Sequence, residues 1–371
     1  MVEALMVTSS FLPGRGGIES YLAELCSSLA PRLAVLAPPK REGKLLPQDL
    51  PYPTHALPGL PAPGRRTLRS IVDTARRENV ERILFGTPWP LVLLGPALLR
   101  RGLRYAVIVH GAEFLVPAAV PGLRSYLAHT LAGAELLLPV SDFTAQRLGA
   151  VVGDRGGDRI ERLRARVDPE RFNPTVDGRR IRQRLGIPPA GKVILCFGRL
   201  VPRKGVDRLI EALPHIAQKV PGTTLVVAGT GPEESELRKL AAKTAGRVIF
   251  AGRVPEIDAP AFYAAADVFA LPVADRWFGL EIEGLGVVLL EAAATGTPCV
   301  TGRSGGTPEA VVDGVTGFVV EAARHEDLVS ALLRVLEDDD LALSMGRAGR
   351  EHVVNSFSTA IEPRGLLEWM A

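Results

Sequence analysis

The sequence is short of cysteine and aromatic rings, and it lacks any long apolar run. Its three cysteines, Cys26, Cys196 and Cys299, stand far apart with no paired spacing, which excludes a disulfide framework and a cysteine zinc site. That usage suits a reducing compartment. Aromatics are only 5% of 371 residues. A nucleic-acid surface would set aromatics among its cations, so no nucleic-acid partner is expected. The most membrane-like stretch, Ile83 to Leu99, is shorter than the roughly 20 residues that span a bilayer and contains Pro88, Pro90 and Pro96. It reads as a strand, a turn and a buried helix, so nothing is expected to cross a membrane. The opening MVEALMVTSSFLPG has an acid at Glu3, no positive leader and too brief an apolar run for a signal peptide. Dinucleotide and P-loop fingerprints are missing as well. Pro13-Gly14-Arg15-Gly16-Gly17-Ile18 has neither spacing, and Gly229-Thr230-Gly231 runs on into Pro-Glu-Glu without a third glycine. A nicotinamide dehydrogenase is thereby disfavoured.

What is present is globular: 47% hydrophobic and 23% charged residues, in a chain long enough for two domains. Residues 1–170 carry a net charge of +5 and the remainder −2, so the front half is the basic one. Short apolar runs alternate with helical patterns throughout. Candidate strands in the first half are Ala4–Thr8, Leu33–Ala37, Arg82–Phe85, Tyr105–Val109 and Leu136–Val140. Those in the second are Lys192–Phe197, Thr223–Ala228, Val248–Ala251, Val268–Leu271, Cys299–Thr301 and Gly317–Val319. Helices such as Ile18–Leu29, Val206–Ala217 and Pro232–Lys243 lie between. Strands alternating with helices predict parallel sheets, and two such series predict two doubly wound α/β domains. The segment around Val167-Asp168-Pro169-Glu170-Arg171-Phe172-Asn173-Pro174 reads as the junction. In such folds ligands bind beyond the carboxyl ends of the strands.

Four stretches carry candidate chemistry. Gly16 and Gly17 precede a helix, where backbone amides can approach an anion. Arg199 and Lys204, in Gly198-Arg199-Leu200-Val201-Pro202-Arg203-Lys204-Gly205, follow a strand, and offer a fork and a point charge for phosphate. His110 ends another strand. Glu283 and Glu291 flank the start of a helix expected over Gly286–Thr295. The helical neighbours of Glu291 are Val287, Val288, Ala294 and Thr295, so no polar stripe surrounds it. A carboxylate in apolar surroundings needs hydrogen-bond donors or must give up its charge. No Lys or Arg is adjacent, which points to donors outside the protein, namely ribose hydroxyls. A fifth stretch, Arg65-Arg66-Thr67-Leu68-Arg69-Ser70-Ile71-Val72-Asp73-Thr74-Ala75-Arg76-Arg77, reads as a helix. At about 100° per residue it gathers Arg65, Arg66, Arg69, Arg76 and Arg77 on one side. That side is either a solvated basic face or a dock for anionic lipid.

Taken together these residues resemble the retaining glycosyltransferases of the GT-B fold. The resemblance runs from the Gly16-Gly17 loop through Arg199–Gly205 to Gly305-Gly306-Thr307-Pro308-Glu309 and Gly314-Val315-Thr316-Gly317. Its most specific element is the E-x7-E pair, Glu283 and Glu291. Within that family the sequence looks most like the actinobacterial phosphatidylinositol-mannoside mannosyltransferases, through Arg199–Gly205 and Glu281-Ile282-Glu283-Gly284-Leu285-Gly286. The resemblance implies two Rossmann-like domains facing across a cleft. Residues 1–168 would bind the acceptor, joined by a C-terminal helix in 357–371, and residues 169–356 would bind the nucleotide sugar. It implies that Arg199 and Lys204 hold the diphosphate, with Gly16 and Gly17 as backbone donors. Glu291 would bind the ribose, Glu283 the transferred sugar, and Gly252-Arg253-Val254 the base. Leu285, Gly286 and Val288 would complete the donor site, and His110 would contact a sugar hydroxyl near the anomeric carbon. No metal or other cofactor is implied.

GDP-mannose is the donor favoured by the resemblance, and an anionic phosphoinositide-type lipid the acceptor. Arg65, Arg66, Arg69 and Arg76 would make a peripheral contact with the inner face of the plasma membrane. UDP-glucose with a soluble acceptor uses the same motifs and stays open, as does a non-catalytic nucleotide-sugar-binding protein.

Overall fold

The structure is a computed structural model that describes residues 1–14, 16–41, 43–59, 61–153 and 156–371. Its contacts divide the chain into two units, Met1–Ala165 with Glu362–Ala371, and Arg166–Ile361. Val167 explains the position of the first boundary. Its amide donates to Phe357 O at 2.7 Å and its carbonyl accepts from Thr359 N at 3.1 Å, which ties it into the second unit.

Both units are built on six-stranded parallel sheets. The first has the order β5-β2-β1-β6-β7-β8, with β1 Ala4–Val7, β2 Leu33–Ala37, β5 Thr54–Ala56, β6 Arg82–Phe85, β7 Arg104–Val109 and β8 Leu136–Pro139. A small antiparallel pair, β3 Lys40–Arg41 and β4 Lys44–Leu45, stands apart from it. The second sheet has the order β11-β10-β9-β12-β13-β14. Its strands are β9 Val193–Phe197, β10 Thr224–Ala228, β11 Arg247–Gly252, β12 Val268–Leu271, β13 Cys299–Gly302 and β14 Gly317–Val320. Each strand pair in the two sheets is parallel.

The sequence dictates this arrangement locally. β1, β2 and β12 are apolar from end to end and fully buried, as strands covered on both faces must be, and β10 is buried throughout with one polar residue, Thr224, at its start. The covering helices are amphipathic. Val206–Lys219, for example, buries Val206, Leu209, Ile210, Leu213 and Ile216, one face at helical spacing. Ile83–Leu99 resolves into β6, a 3-10 turn at Leu91–Leu94 and the helix Gly95–Leu99, as expected. Of the stretch 357–371 expected to carry the C-terminal helix, residues 357–361 stay with the second unit, and the helix runs only over Arg364–Met370 and belongs to the first. There Trp369 donates to Glu135 at 2.9 Å, Gly365 N to Glu161 at 3.0 Å, and Leu366 and Met370 are buried. Among the described residues no helix is long and apolar enough to cross a membrane.

Candidate functional site

In the second unit the candidates gather at the carboxyl ends of β9, β11 and β12 and on the loops that follow. After β9 the chain turns through Gly198 and reaches a 3-10 turn, Pro202–Lys204. Gly198 lies so close to the loop after β10 that a β-carbon on Gly229 would fall 1.9 Å from its carbonyl oxygen. One on Gly231 would fall 2.2 Å from that of Leu200. These glycines therefore let two strand-end loops touch backbone to backbone, which is why Gly229-Thr230-Gly231 needs no nucleotide fingerprint. Arg199 projects from the first of these loops into solvent, and among the described residues its side chain has no hydrogen-bond or ion-pair partner.

Lys204 is placed differently. It is buried, and its Nζ lies 2.8 Å from Glu283 Oε2. The guanidinium of Arg203 donates to the same oxygen. Burial pushes the Glu283 carboxyl up, but Lys204 and Arg203 outweigh it and hold the group below its ordinary value. Glu283 is therefore ionised, with one carboxylate oxygen shared by two cations. Arg203 also approaches Glu281 at 3.8 Å, and Glu281 pairs with Arg276 at 3.3 Å. Arg203 was quoted in the sequence motif but given no role. Its signal was adjacency to Lys204 on one tight turn.

The backbone of Glu283 is clamped by the loop after β13. Its amide donates to Ser304 Oγ at 3.1 Å, and its carbonyl accepts from Gly306 N at 3.1 Å. Ser304 Oγ in turn donates to Asp275 at 2.5 Å. A β-carbon at Gly305, whose φ is +52°, would meet the Glu283 carbonyl at 1.9 Å. The Gly305-Gly306-Thr307 motif thus positions the carboxylate through backbone contact alone.

The expected helix is Val287–Ala294, entered through Gly286 at φ +86° with no side-chain cap, so its first amides are left for a ligand or solvent. Leu285 is buried and Val288 half-buried, so Leu285 can offer only backbone to a ligand. Glu291 departs from expectation. The Tyr263 hydroxyl donates to Glu291 Oε2 at 2.6 Å, so one donor for this carboxylate comes from the protein itself. Tyr263 lies 28 positions upstream, and only the fold brings it near. Burial raises Glu291 to about 7 despite that bond. Tyr263 is held by stacking on Phe197 at 5.3 Å between ring centroids, and burial and Glu291 push its hydroxyl well up. At the end of β11, Val254 is half-buried beside Gly252, whose carbonyl accepts from Gly229 N at 2.7 Å.

In the first unit, β1 leads through a loop to the helix Gly17–Ser28, with Gly16 as its N-terminal boundary and no side-chain cap. Arg15, quoted with that loop, lies outside the described residues. A β-carbon on Gly16 would strike the Glu19 carboxylate at 2.5 Å, whereas one on Gly17 would meet nothing within 4 Å. Packing explains the first glycine and leaves the second unexplained within the unit. His110 directly follows β7 and is buried, its ring edge-on to Tyr21 at 5.3 Å. Burial lowers its pKa, although Glu113, Gly86 and Glu19 pull upward. The neutral ring places Nε2 2.9 Å from the Gly86 carbonyl. The proton therefore sits on Nε2 as donor, and Nδ1 is left as an acceptor. A hydroxyl is the natural partner for such an atom.

The helix Arg65–Glu78 buries Thr67, Ile71, Val72, Thr74 and Ala75 and exposes Arg65, Arg66, Arg69, Arg76 and Arg77. Among the described residues none of the five arginines finds a hydrogen-bond or ion-pair partner, although Asp73 shares their side. Arg65 and Arg66 occupy the first turn, where the helix dipole disfavours cations. Stability is no reason to put them there. Among the described residues, no group of three or more His, Cys, Asp or Glu could hold a metal ion.

A family model described as glycosyl transferases group 1 matches residues 177–352. A GDP-mannose-dependent alpha-(1-6)-phosphatidylinositol monomannoside mannosyltransferase of Mycolicibacterium smegmatis is 37% identical over 367 residues, 95% of this chain and 94% of that protein. A GDP-mannose-dependent monoacylated alpha-(1-6)-phosphatidylinositol monomannoside mannosyltransferase of Corynebacterium glutamicum is 35% identical over 368 residues, covering 97% and 95%. Among solved structures, Anabaena HepE in complex with UDP-glucose superposes with a TM-score of 0.82 at 21% identity, over 99% of both chains. Sucrose-phosphate synthase from Thermosynechococcus elongatus gives 0.82 at 20% identity, over 99% and 98%. These structures establish the fold, GT-B, with its two parallel six-stranded sheets.

Proposed function

The chain belongs to the glycosyl transferases group 1 family, and on that premise we propose that it moves mannose from GDP-mannose to a phosphatidylinositol mannoside-type lipid, with retention at the anomeric carbon. The observation that carries this reading is identity above one third along nearly the whole length of relatives so named. The geometry supports it. Arg199, free in solvent, and Lys204, fixed by Glu283, offer positive charge on one loop for the diphosphate. Gly17, whose missing β-carbon faces open space, lets backbone amides approach an anion. Glu291 accepts ribose hydroxyls alongside Tyr263, Val254 lies against the base, and Glu283 accepts from the mannose. Nδ1 of His110 accepts from a sugar hydroxyl. As the bond from the anomeric carbon to the diphosphate breaks, negative charge builds on the leaving oxygen. Arg199 and Lys204 stabilise that charge in place. The acceptor hydroxyl enters on the same face, and its proton passes to the departing phosphate.

A panel of nucleotide sugars tests the donor. Purified protein given a phosphatidylinositol monomannoside should release GDP from GDP-mannose, and release from UDP-glucose instead would overturn the sugar assignment.

The lipid contact we propose is the arginine face of Arg65–Glu78, at the inner leaflet of the plasma membrane. Each basic residue near an anionic surface contributes about 1 kcal/mol, screened over roughly 10 Å at 0.1 M salt. Weak, salt-sensitive binding to vesicles containing phosphatidylinositol is expected. Replacing Arg65, Arg69 and Arg76 together with Glu should remove that salt-sensitive component while donor hydrolysis continues. A salt-sensitive component undiminished in the triple variant would refute the contact.

A further inference from the structure

Between β12 and the helix that carries Glu291, the chain makes a tight hairpin. Arg276 and Glu281 pair through both backbones, Arg276 N to Glu281 O at 3.0 Å and Glu281 N to Arg276 O at 3.2 Å. Four residues, Trp277 to Leu280, make the tip. Trp277 and Phe278 sit there at φ +50° and +56°, left-handed backbone that bulky side chains rarely adopt. Trp277 is 62% exposed and Phe278 109%. In a chain with three tryptophans and twelve phenylalanines, two neighbours stand largely in water on a backbone that disfavours them. Nothing in the site described above uses either ring.

The surroundings indicate what covers them. The tip is the four-residue turn of this hairpin. The charges of its stem are already matched: Glu281 pairs with Arg276 at 3.3 Å and approaches Arg203 at 3.8 Å, while the Arg276 guanidinium lies 5.6 Å from the centre of the Trp277 ring. The stem can therefore approach an apolar layer without stripping water from an unpaired charge. Stacking on a sugar ring would instead require free polar groups beside the rings to hold its hydroxyls, and Arg276 and Glu281 are spent on each other. An indole with an apolar body and a polar N–H favours the boundary between lipid head groups and acyl chains.

We propose that the Trp277–Phe278 tip inserts into the interfacial layer of a lipid bilayer, a membrane contact of the second unit distinct from the arginine face of the first. The two contacts differ in physics. The arginine face weakens as salt rises, whereas burial of two aromatic rings does not depend on ionic screening.

The test uses the full chain and phosphatidylcholine vesicles containing phosphatidylinositol, with and without bromine on the upper acyl chain. At high salt, tryptophan emission should shift to the blue and be quenched by the brominated lipid. Trp277→Phe should lose the shift while keeping most of the binding, which assigns the signal. The double variant Trp277→Gly with Phe278→Gly should lose at least about tenfold in partition at high salt. It should melt no lower than the parent, because glycine suits both positive φ angles, and it should hydrolyse donor at the parent rate. Unchanged emission and equal high-salt partition of parent and double variant would overturn the proposal. So would the same emission change on adding GDP-mannose without lipid, or a change that tracks self-association of the chain. Emission, quenching and partition do not depend on turnover, so the contact can fail while the mannosyl transfer stands, and the reverse.

Discussion

Arg199→Ala should lower turnover by about 10²–10³-fold and leave the melting temperature where it was. Removing one preorganised charge partner from a developing anion has that typical cost. Arg199 is exposed and its side chain is unbonded, so folding loses nothing when it goes. Lys204→Ala should cost at least as much in turnover and should also destabilise the second unit. Its side chain is 10% exposed, and its ammonium lies 2.8 Å from the carboxylate of Glu283, a side chain 12% exposed. Orphaning a buried ion typically costs about 3–5 kcal/mol. Arg203 still holds the same oxygen, so the loss falls short of that range. Steady-state GDP release and thermal melts of both variants make the check. Normal turnover in both would dismiss the diphosphate assignment, and equal melting temperatures would dismiss Lys204 as a support for Glu283.

Glu291→Gln should weaken donor binding by roughly 1.5–3 kcal/mol, the usual value of hydrogen bonds to a charged group. It should also remove a pH dependence. Burial raises this carboxyl from 4.5 to about 7, so the ionised form, which we propose accepts ribose hydroxyls, gains ground only as pH climbs through neutrality. The parent's donor KM should therefore fall between about pH 6 and 8, and the Gln variant's should stay flat. Stability moves the other way. A group whose pKa is raised on folding binds more protons folded than unfolded between 4.5 and about 7. Its contribution is fully present below 4.5 and is lost as pH rises through 7. Melting curves of the pair should show the Gln variant gaining on the parent across that window. Parallel curves, together with an unchanged donor KM, would return Glu291 to a structural role.

The sheets were legible because their strands are written as apolar runs. Leu33–Ala37, Arg82–Phe85 and Val268–Leu271 have the ends expected of them. β5 was not foreseen. Thr54–Ala56 follows a proline, centres on a histidine and lies at the sheet edge, where one neighbour suffices and apolar residues are not required. The small pair β3 and β4 is two residues long on each side and offers no periodicity at all. At the site, spacing alone marked Glu283 and Glu291. The hydroxyl on Glu291 could not be seen, since Tyr263 comes from a separate helix in the sequence. The aromatic tip escaped for the opposite reason: Trp277-Phe278 looks like ordinary core, and only its exposure shows otherwise. Gly229 and Gly231 were weighed as ligand loops, yet their smallness serves contact between loops.

The return of Glu362–Ala371 to the first unit has a consequence for how the protein is made. Read along the chain, the second unit is an insertion into the first, placed between Ala165 and Glu362. The ribosome delivers the amino-terminal sheet first, but the helix that covers Glu135 and Glu161 emerges only after Arg166–Ile361 has been synthesised. The unit begun earliest is thus the last to be completed. At about 5–20 residues per second, the inserted segment imposes a delay of roughly 10–40 s. Through that interval the sites for Leu366 and Met370 stay open, and a chaperone that recognises apolar surface has its opportunity there. A nascent chain stalled before Glu362 should remain bound to such a chaperone, and one extended past Met370 should be released.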